Sequence, residues 1–284
     1  PSKIKVFSMF SGVGGFELGF QQANLQTQVV GFCEIDKYAS QILETKFKEI
    51  KNYGDATKIN ETKLPNFDIL VGGFPCQPFS MAGKRKGFDE ARGTLFFDVA
   101  RILAHKKPRN FILENVKGLL SHNKGKTFET ILGILSDLGY IVEWELLNSK
   151  NYGVPQSRER VYIVGHLRGQ SRPKVFSFRK STEKSNQKPK LLTKNLGQAQ
   201  RVFSTNGISV SIIALGGGQG AKTGLYEVKK GTQIRRLTPI ECERLQGFPD
   251  NWTEGLSDTQ RYKCLGNAVT TNVIEWIGKQ LYEC

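Results

Sequence analysis

The chain has 284 residues, of which 38% are hydrophobic, and its 41 Lys and Arg against 26 Asp and Glu give a formal charge of +15. This length and apolar content suit one large domain, or a main domain with a small lobe. The sequence contains no apolar run long enough to span a membrane and no secretory leader, so we expect no membrane partner and a cytoplasmic location. Five scattered cysteines without a CxxC pair argue against a disulfide framework and a zinc site, and we expect no metal.

The first half of the chain alternates between strand-like and helix-like segments. The predicted strands are "IKVFSMFSG", "QVVGFCEID", "FDILVGG", "NFILENV", "YIVEWELLNS" and "RVYIVGHL". The predicted helices are "GGFELGFQQAN", "KYASQILETKFKEI", "LFFDVARILAHKK" and "TFETILGILSDLG". Strands that alternate with helices at this spacing indicate βαβ units, so we predict an α/β fold with a mostly parallel sheet and helices on both faces.

The composition changes after the last of these strands. Residues 168–194 are rich in Lys and Arg with a single acid, Glu183, and the following residues up to 232 are rich in Gly and β-branched side chains. The basic segment is either a solvated linker or a phosphate-facing surface that binds nucleic acid through counterion release. We predict a smaller, irregular or β-rich lobe here.

Helical signals return in "TPIECERLQGF", and residues 266–281 are predicted to form a Gly/Asn turn followed by an amphipathic helix. We expect that closing helix to pack back on the first domain. The predicted division is therefore a main domain of residues 1–167 and 235–284, with a lobe of residues 168–234 between its parts.

Polar and glycine residues follow the first strands, at the edge where open α/β sheets bind ligands. Gly12, Gly14 and Gly15 allow a tight turn and a close approach by a ligand. They do not form the GxGxxG fingerprint of dinucleotide enzymes. Glu34, near the end of the second strand, is either a surface acid or an acceptor for ribose hydroxyls, and Asp55 could accept from an exocyclic amine. Together these residues indicate an adenosine pocket.

Four further residues have side chains that could take part in catalysis. Cys76 lies in "VGGFPCQPFS", where two prolines and two glycines stiffen and shape the backbone around a thiol that could be aimed at a substrate. Glu114, after the apolar "FIL", is either a capping or paired carboxylate or a desolvated acid with a raised pKa. Arg158 and Arg160 are predicted on one face of a strand, either as a surface pair or as joint support for an anion, thiolate or carboxylate.

In chain order, "FSGVGGF", "GGFPCQPFS", "ENV", "QSRER" and "GNAVTTNV" resemble the ordered motifs of the C5-cytosine DNA methyltransferases, and the resemblance covers nearly the whole chain. It is nearest to the small bacterial or phage restriction–modification type. The resemblance implies a Rossmann-like, S-adenosylmethionine-dependent methyltransferase fold in which residues 168–234 form the target-recognition lobe. Ser8 departs from the family pattern, which often has an acid at that place.

The resemblance also implies roles for individual residues. Cys76 is the nucleophile toward C6 of cytosine, Glu114 contacts N3 and the exocyclic amine, and Arg158 and Arg160 steady the base and the thiolate side of the site. The residues implied to bind S-adenosylmethionine, which leaves as S-adenosylhomocysteine, are Phe10, Gly12, Gly14, Glu34, Ile35, Asp55, Ala56, Pro75, Leu95, Asn267 and Ala268. The residues implied to bind DNA are Gln77, Ser80, Lys84, Arg92, Arg201, Ser204, Thr205, Gln219 and Lys222.

The chemistry agrees with these implied roles, because addition of a thiolate at C6 makes C5 of the ring nucleophilic toward a methyl donor. A base within a duplex is out of reach, so it must be flipped out, and the basic, glycine-bounded loop of residues 80–93 is the candidate closing element. The expected partner is double-stranded DNA with a short recognition site. We also expect a monomer, with a cognate restriction endonuclease in the same cell but no stable complex.

Three other functions stay open at this point. A tRNA cytosine-5 methyltransferase would act on RNA rather than on duplex DNA. A catalytically silent relative would bind DNA without forming a covalent adduct. A nucleotide-dependent oxidoreductase would bind NAD and not S-adenosylmethionine.

Overall fold

The computed structural model describes residues 2–75, 94–170, 173–176, 186–193, 200–214, 222–229 and 233–282. The strands of its first part are β1 (Ile4–Met9), β2 (Thr27–Cys33), β3 (Ile69–Gly73), β4 (Asn110–Val116), β5 (Tyr140–Asn148), β6 (Gln156–Ser157) and β7 (Glu159–Leu167). The helices between them are α1 (Gly15–Gln22), α2 (Lys37–Lys46), α3 (Leu95–Lys106) and α4 (Lys126–Asp137). All of the strands and helices predicted in this part of the chain are present.

The central sheet has six strands in the order β2-β1-β3-β4-β7-β5. The β1–β2, β1–β3 and β3–β4 pairs are parallel, whereas β7 is antiparallel to both of its neighbours. The prediction of a mostly parallel sheet is therefore confirmed. The exception has a simple cause, because no α-helix separates β5 from β7 and the chain turns back instead of crossing over the sheet.

The C-terminal helices α5 (Pro239–Leu245), α6 (Asp258–Asn267) and α7 (Thr271–Tyr282) return to this sheet. Side chains alternate across β1, so Phe7 packs in the apolar layer with α3 and α4, and Val6 packs in the layer with α1 and α7. Helices α1 and α7 lie very close together: a Cβ atom added at Gly19 would lie 2.5 Å from the Cβ of Ile274. The predicted packing of the closing helix against the first domain is confirmed.

One prediction about the C-terminal part was wrong. Gly266 and Asn267 do not form a turn before the last helix but lie in the last turn of α6, and the break covers residues 268–270. The whole of α6, "DTQRYKCLGN", was missed because it is polar and buries mainly Tyr262, Cys264 and Leu265. A sequence with so few apolar positions carries little of the helical periodicity on which such predictions depend.

The lobe contains the strands β8 (Val202–Ser204), β9 (Ser209–Val210), β10 (Leu225–Lys229) and β11 (Gln233–Arg236). Strands β11, β10 and β8 form a small sheet in that order, and β9 pairs in parallel with β6 of the main domain. Two observations concern the predicted lobe boundaries at residues 168 and 234. Val175 is buried in the layer with α7, and β11 continues past residue 234. The division of the chain at these two residues stays a prediction. Among the helices in the described ranges, none has the length and apolar character that a membrane crossing requires.

One buried acid gives the fold an expected pH dependence. Glu17 on α1 is only 2% exposed, and the nearby Ser8 hydroxyl offsets the effect of this burial only in part. Burial raises the pKa of Glu17 from 4.5 to about 7. Between these values the folded state holds a proton that the unfolded chain has released, so the free energy of unfolding falls by about 3 kcal/mol as the pH rises through this window.

We expect Glu17→Gln to remove most of this fall, because the amide has no charge to bury. Urea unfolding of both proteins at pH 5 and pH 8 measures the difference. Glu44→Gln is the matched control, since Glu44 is exposed on α2 and its variant should keep the parent's pH dependence. Equal pH dependence in Glu17→Gln and the parent would contradict the expectation.

Candidate active site

The carboxyl ends of β1, β2, β3 and β4 meet at one cavity of about 310 Å³. Its predicted cofactor residues are Phe10, Gly12, Glu34, Pro75 and Asn267, and its predicted catalytic residues are Glu114, Arg158 and Arg160. Sequence analysis did not assign the other lining residues, which are Asp36, Ala39, Gly73, Phe74, Asn115, Val116, Lys263, Cys264 and Gly266. The structure thus brings two groups of predicted residues together in a single site.

The turn after β1 forms one wall of the cavity. Phe10 and Gly12 have φ angles of 51° and 55°, in the left-handed region, and a Cβ atom at Gly12 would meet nothing within 4 Å. Glu34 holds this turn, because its Oε2 atom accepts a hydrogen bond of 2.7 Å from the Gly12 amide and its Oε1 atom accepts one of 2.8 Å from the Asp36 amide. Burial raises the pKa of Glu34 despite these two donors.

A second wall comes from the C-terminal part of the chain. The Lys263 ammonium on α6 lies 2.6 Å from Oδ2 of Asp36, whose Oδ1 caps the N-terminus of α2. This ion pair lowers the pKa of Asp36, although burial acts in the opposite direction. The pair is not predictable from the sequence, because its members are far apart in the chain and neither lies in a motif that predicts the other.

The catalytic side of the cavity is built where β3 and β4 end. Gly73 pairs with Glu114 across these strands, and a Cβ atom at Gly73 would lie only 3.1 Å from Oε2 of Glu114. At Gly72 a Cβ atom would lie 2.6 Å from the carbonyl oxygen of Met9 on β1. The two glycines of "VGGFPC" therefore allow close packing on β1 and leave room for the Glu114 carboxylate.

We expect Gly73→Ala to lower kcat about 10-fold, because the new methyl group pushes the Glu114 carboxylate away from its productive position. The measurement is the steady-state rate of the methyl transfer that the resemblance implies, with circular dichroism to verify the fold. Gly133→Ala is the matched control, since Gly133 lies on α4 with nothing within 4 Å of an added Cβ atom. A Gly73→Ala protein with the parent's kcat would show that this space does not position Glu114.

Glu114 and Arg160 form a buried ion pair at the centre of this side. Nε of Arg160 lies 3.0 Å from Oε1 of Glu114, and the two side chains are only 17% and 11% exposed. Burial raises the pKa of Glu114, and the positive charges of Arg160 and Arg158 oppose only part of the rise. The structure thus agrees with a desolvated acid that retains its proton at a higher pH than an exposed glutamate does.

Arg158 and Arg160 differ in their hydrogen-bond partners, and the joint role predicted for them stays a prediction. Arg158 lies between β6 and β7 and is 2% exposed, and its Nη atoms donate to backbone carbonyl oxygens of Ile212, Gly266 and Ala268 at 2.9, 3.1 and 2.9 Å. Both Nη atoms of Arg158 thus donate to carbonyl groups, whereas Nε of Arg160 contacts the Glu114 carboxylate. Burial lowers the pKa of Arg158 to about 10, so it stays charged at neutral pH.

Cys76 lies outside the described residues, but the backbone that leads to it does not. Pro75, the preceding residue, is exposed at the cavity. Nδ2 of Asn115 donates a 2.8 Å hydrogen bond to the Phe74 carbonyl, and Oδ1 of Asn115 accepts from the Val116 amide. Asn115 therefore ties the approach to Cys76 to the end of β4. The predicted DNA contacts Gln77, Ser80, Lys84, Arg92 and Gln219, and the loop of residues 80–93, also lie outside the described residues.

The other predicted cofactor residues do not line the cavity. Gly14 precedes α1, where its φ is 83° and a Cβ atom would meet the Phe47 ring at 2.4 Å. The remaining ones are Ile35, 74% exposed; Asp55, which accepts from the Thr57 amide; Ala56, buried; Leu95, at the start of α3; and Ala268, buried after α6. Ser8, the departure from the family pattern, is fully buried and does not line the cavity either. All these cofactor roles stay predictions.

The lobe residues predicted to bind DNA differ in their exposure. Arg201 and Thr205 are exposed, and the Lys222 ammonium lies 5.9 Å from the centre of the Tyr262 ring. Ser204 is a correction, since it is 8% exposed and its hydroxyl accepts a hydrogen bond from the Asn206 amide, which shapes the turn rather than facing a groove. Within the described ranges, no group of three or more His, Cys, Asp and Glu residues could hold a metal ion.

Comparison with known proteins agrees with this site. A family model described as C-5 cytosine-specific DNA methylase matches residues 4–211 and 204–283. The type II methyltransferase M.HhaI of Haemophilus parahaemolyticus is 38% identical, with 96% of this chain and 93% of the relative covered. The type II methyltransferase M.NgoBI of Neisseria gonorrhoeae is 40% identical, with 95% of this chain and 90% of the relative covered.

Solved structures share the fold. The Dnmt2 methyltransferase of S. pombe has a TM-score of 0.76 at 19% identity, with 96% of this chain and 97% of that chain covered. The methyltransferase EhMeth of Entamoeba histolytica has a TM-score of 0.72 at 21% identity, with 100% and 99% covered. The predicted Rossmann-like methyltransferase fold is confirmed. Since the family model matches nearly the whole chain, and relatives close to 40% identity cover almost all of it, the chain belongs to the C-5 cytosine-specific DNA methylase family and is a DNA cytosine-5 methyltransferase.

Proposed function

We propose that this enzyme methylates a flipped-out cytosine of duplex DNA with S-adenosylmethionine as the donor, through a covalent bond between Sγ of Cys76 and C6 of the base. One observation carries the proposal: the turn held by Glu34 and the buried Glu114–Arg160 pair lie in the same cavity, which Pro75 reaches one residue before Cys76. A donor pocket and an acid suited to a pyrimidine thus adjoin Pro75, the residue that precedes the predicted nucleophile in the sequence.

The residues of the cavity fit the cofactor that the family uses. Each Glu34 oxygen accepts one amide hydrogen bond, and a carboxylate has acceptor sites left for the two hydroxyls of a ribose. Open space at Gly12 allows a ligand to approach the backbone closely. When bound, S-adenosylmethionine supplies an electrophilic methyl group. Phe10, Gly12, Glu34 and Asn267 would hold it, with Asp36 and Lys263 fixing the walls.

Cys76, Glu114 and Arg160 carry the chemical steps on the cytosine ring. The Cys76 thiolate adds to C6, and the electron pair of the C5–C6 double bond becomes available at C5 for the methyl group. Glu114 keeps a proton at N3, which relieves the negative charge that the addition places on the ring. Arg160 orients the Glu114 carboxyl through their 3.0 Å contact. After the methyl group has moved to C5, a water molecule takes the C5 proton, the C5–C6 double bond forms again, Cys76 leaves as a thiolate and the proton at N3 returns to Glu114.

The experiment that tests this proposal is covalent trapping. A duplex in which the target cytosine is 5-fluorocytosine cannot lose a proton at C5, so the enzyme and S-adenosylmethionine should give a DNA adduct that survives denaturation. Peptide mapping should place the adduct at Cys76, and bisulfite sequencing of DNA from expressing cells identifies the site. Adduct formation on tRNA but not on duplex DNA would overturn the proposal, as would binding of NAD without binding of S-adenosylmethionine.

We also propose a role in a restriction–modification system, because the similar relatives carry the name of type II methyltransferases. The enzyme would protect its recognition site from a cognate endonuclease in the same cytoplasm without a stable complex, and would act as a monomer. Genomic DNA from expressing cells should resist one endonuclease that cuts the site identified by bisulfite sequencing. Ultracentrifugation with and without DNA tests the monomer.

A further inference from the structure

Arg158 joins three segments that are far apart in the chain. One Nη atom donates to the Ile212 carbonyl in the lobe, and the other donates to the Gly266 and Ala268 carbonyls at the end of α6. We propose that Arg158 is a positioning residue that holds the lobe against the cavity wall, so that DNA bound to the lobe and cofactor bound in the cavity strengthen each other. This inference rests on the proposed function and assigns Arg158 no contact with either ligand.

Gln156, two residues earlier, makes a parallel set of contacts. Its Oε1 atom accepts a 3.0 Å hydrogen bond from the Ile212 amide, so both backbone groups of Ile212 are held by side chains of the same short segment. Its Nε2 atom donates to the Leu245 carbonyl at 2.9 Å and to Oε1 of Gln246 at 3.1 Å. Gln246 in turn donates to the Ala268 carbonyl at 3.0 Å, the same oxygen that Arg158 holds. The lobe and the end of α6 are thus connected twice.

The lobe also touches the cavity wall directly. A Cβ atom at Gly266 would lie 2.3 Å from the amide nitrogen of Ala214 and 2.4 Å from the carbonyl carbon of Ile213. Gly266 itself lines the cavity, together with the following Asn267. Backbone of the lobe therefore packs on backbone of the wall with no side chain between them, and a displacement of one must move the other.

The chemistry of Arg158 suits this role better than a role in stability. No carboxylate within the described part of the chain forms a salt bridge with it, since Glu114 is paired with Arg160. A buried charge whose hydrogen bonds go mainly to carbonyl groups contributes little to stability compared with an apolar side chain, and such residues can instead fix one conformation. Only a guanidinium has the fork of donors that reaches carbonyl groups of separate segments at once, so lysine is not an equivalent replacement.

The test measures how DNA changes the affinity for S-adenosylhomocysteine. Calorimetry gives the dissociation constant of S-adenosylhomocysteine alone and with a saturating duplex that carries the methylation site. For the parent we expect the duplex to tighten binding by at least about 5-fold. For Arg158→Lys we expect this ratio to fall to within about 2-fold of unity, whereas binding without DNA changes far less. A residue that acts only through overall stability would not change the ratio.

Arg261→Lys is the matched control, because Arg261 lies on the same α6 and donates to Glu243 and Thr253 without bridging to the lobe. That variant should keep the parent's ratio. If Arg158→Lys does not fold, Gln156→Leu removes the hydrogen bond to the Ile212 amide and should also lower the ratio. The inference is overturned if DNA does not change the affinity of the parent for S-adenosylhomocysteine. It is also overturned if a folded Arg158→Lys or Gln156→Leu protein keeps the parent's ratio. Neither outcome affects the proposed function. Failure of the parent to bind S-adenosylhomocysteine without DNA overturns the proposed function as well.

Discussion

Cys76→Ala is expected to abolish methyl transfer while the affinities for duplex DNA and for S-adenosylhomocysteine stay close to those of the parent. The reason is chemical, since C5 of cytosine becomes nucleophilic only after a thiolate has added to C6, and a methyl side chain cannot add. Single-turnover transfer of labelled methyl groups measures the loss. Calorimetry with each ligand measures the binding.

The cysteines in the described part of the chain provide the controls for Cys76→Ala. Burial raises the pKa of Cys33, Cys242 and Cys264 to about 12, so each of these thiols keeps its proton at neutral pH. Cys242→Ala, outside the cavity, should turn over at the parent's rate. Cys264→Ala, at the cavity, should still form the adduct with 5-fluorocytosine DNA. Adduct formation by Cys76→Ala, or its loss in Cys264→Ala, would show that another thiol is the nucleophile.

Glu114→Gln is expected to lower kcat by about 10²- to 10⁴-fold with a much smaller change in the affinity for DNA. The amide has nearly the same shape and can still approach N3, but it cannot keep an ionisable proton there as negative charge develops on the ring. Because burial raises the pKa of Glu114, the parent keeps this proton at higher pH than an exposed glutamate does. The parent's kcat should therefore fall as the pH rises through that pKa, and the variant should lack this limb of its pH profile.

Glu159→Gln is the matched control for this prediction. Glu159 lies next to Arg160 in the chain, but its carboxylate forms an exposed pair with Lys117 at 2.8 Å, with side chains that are 41% and 58% exposed. Exposed pairs of this kind contribute little to stability, so kcat should stay close to that of the parent. If Glu114→Gln weakened DNA binding as strongly as it lowered kcat, Glu114 would be a binding residue and not an acid that acts during the reaction.

The sequence predicts the elements of the main sheet well, because local patterns determine them. Apolar runs such as "FDILVGG" end in turn residues, and the periodic "LFFDVARILAHKK" forms α3 nearly over its whole length. The antiparallel direction of β7 could also have been found, since the sequence has no helix-length segment between β5 and β7. Helix α6 could not, because its polar sequence carries no clear period.

Site residues could be predicted from the sequence where a local motif contains the functional side chain. Contacts with backbone groups from distant parts of the chain could not. Glu34 directly follows β2 and Glu114 lies near the end of β4, each after an apolar run, so their places at one edge of the sheet follow from the parallel order. The partners of Arg158 are carbonyl groups of Ile212, Gly266 and Ala268, and a carbonyl group has no signature in a sequence. The Asp36–Lys263 pair is of the same kind, since only the folded chain brings α2 and α6 together.

The cavity proposed to bind the methyl donor takes its walls from opposite ends of the chain, with Phe10 and Gly12 on one side and Lys263, Gly266 and Asn267 on the other. A ribosome delivers the first wall long before the second. A nascent protein can therefore form much of its sheet yet have no complete pocket for a methyl donor until α6 has been synthesised and has docked. We therefore expect prematurely terminated products that lack α6 to be catalytically inert, even though they contain Cys76 and Glu114.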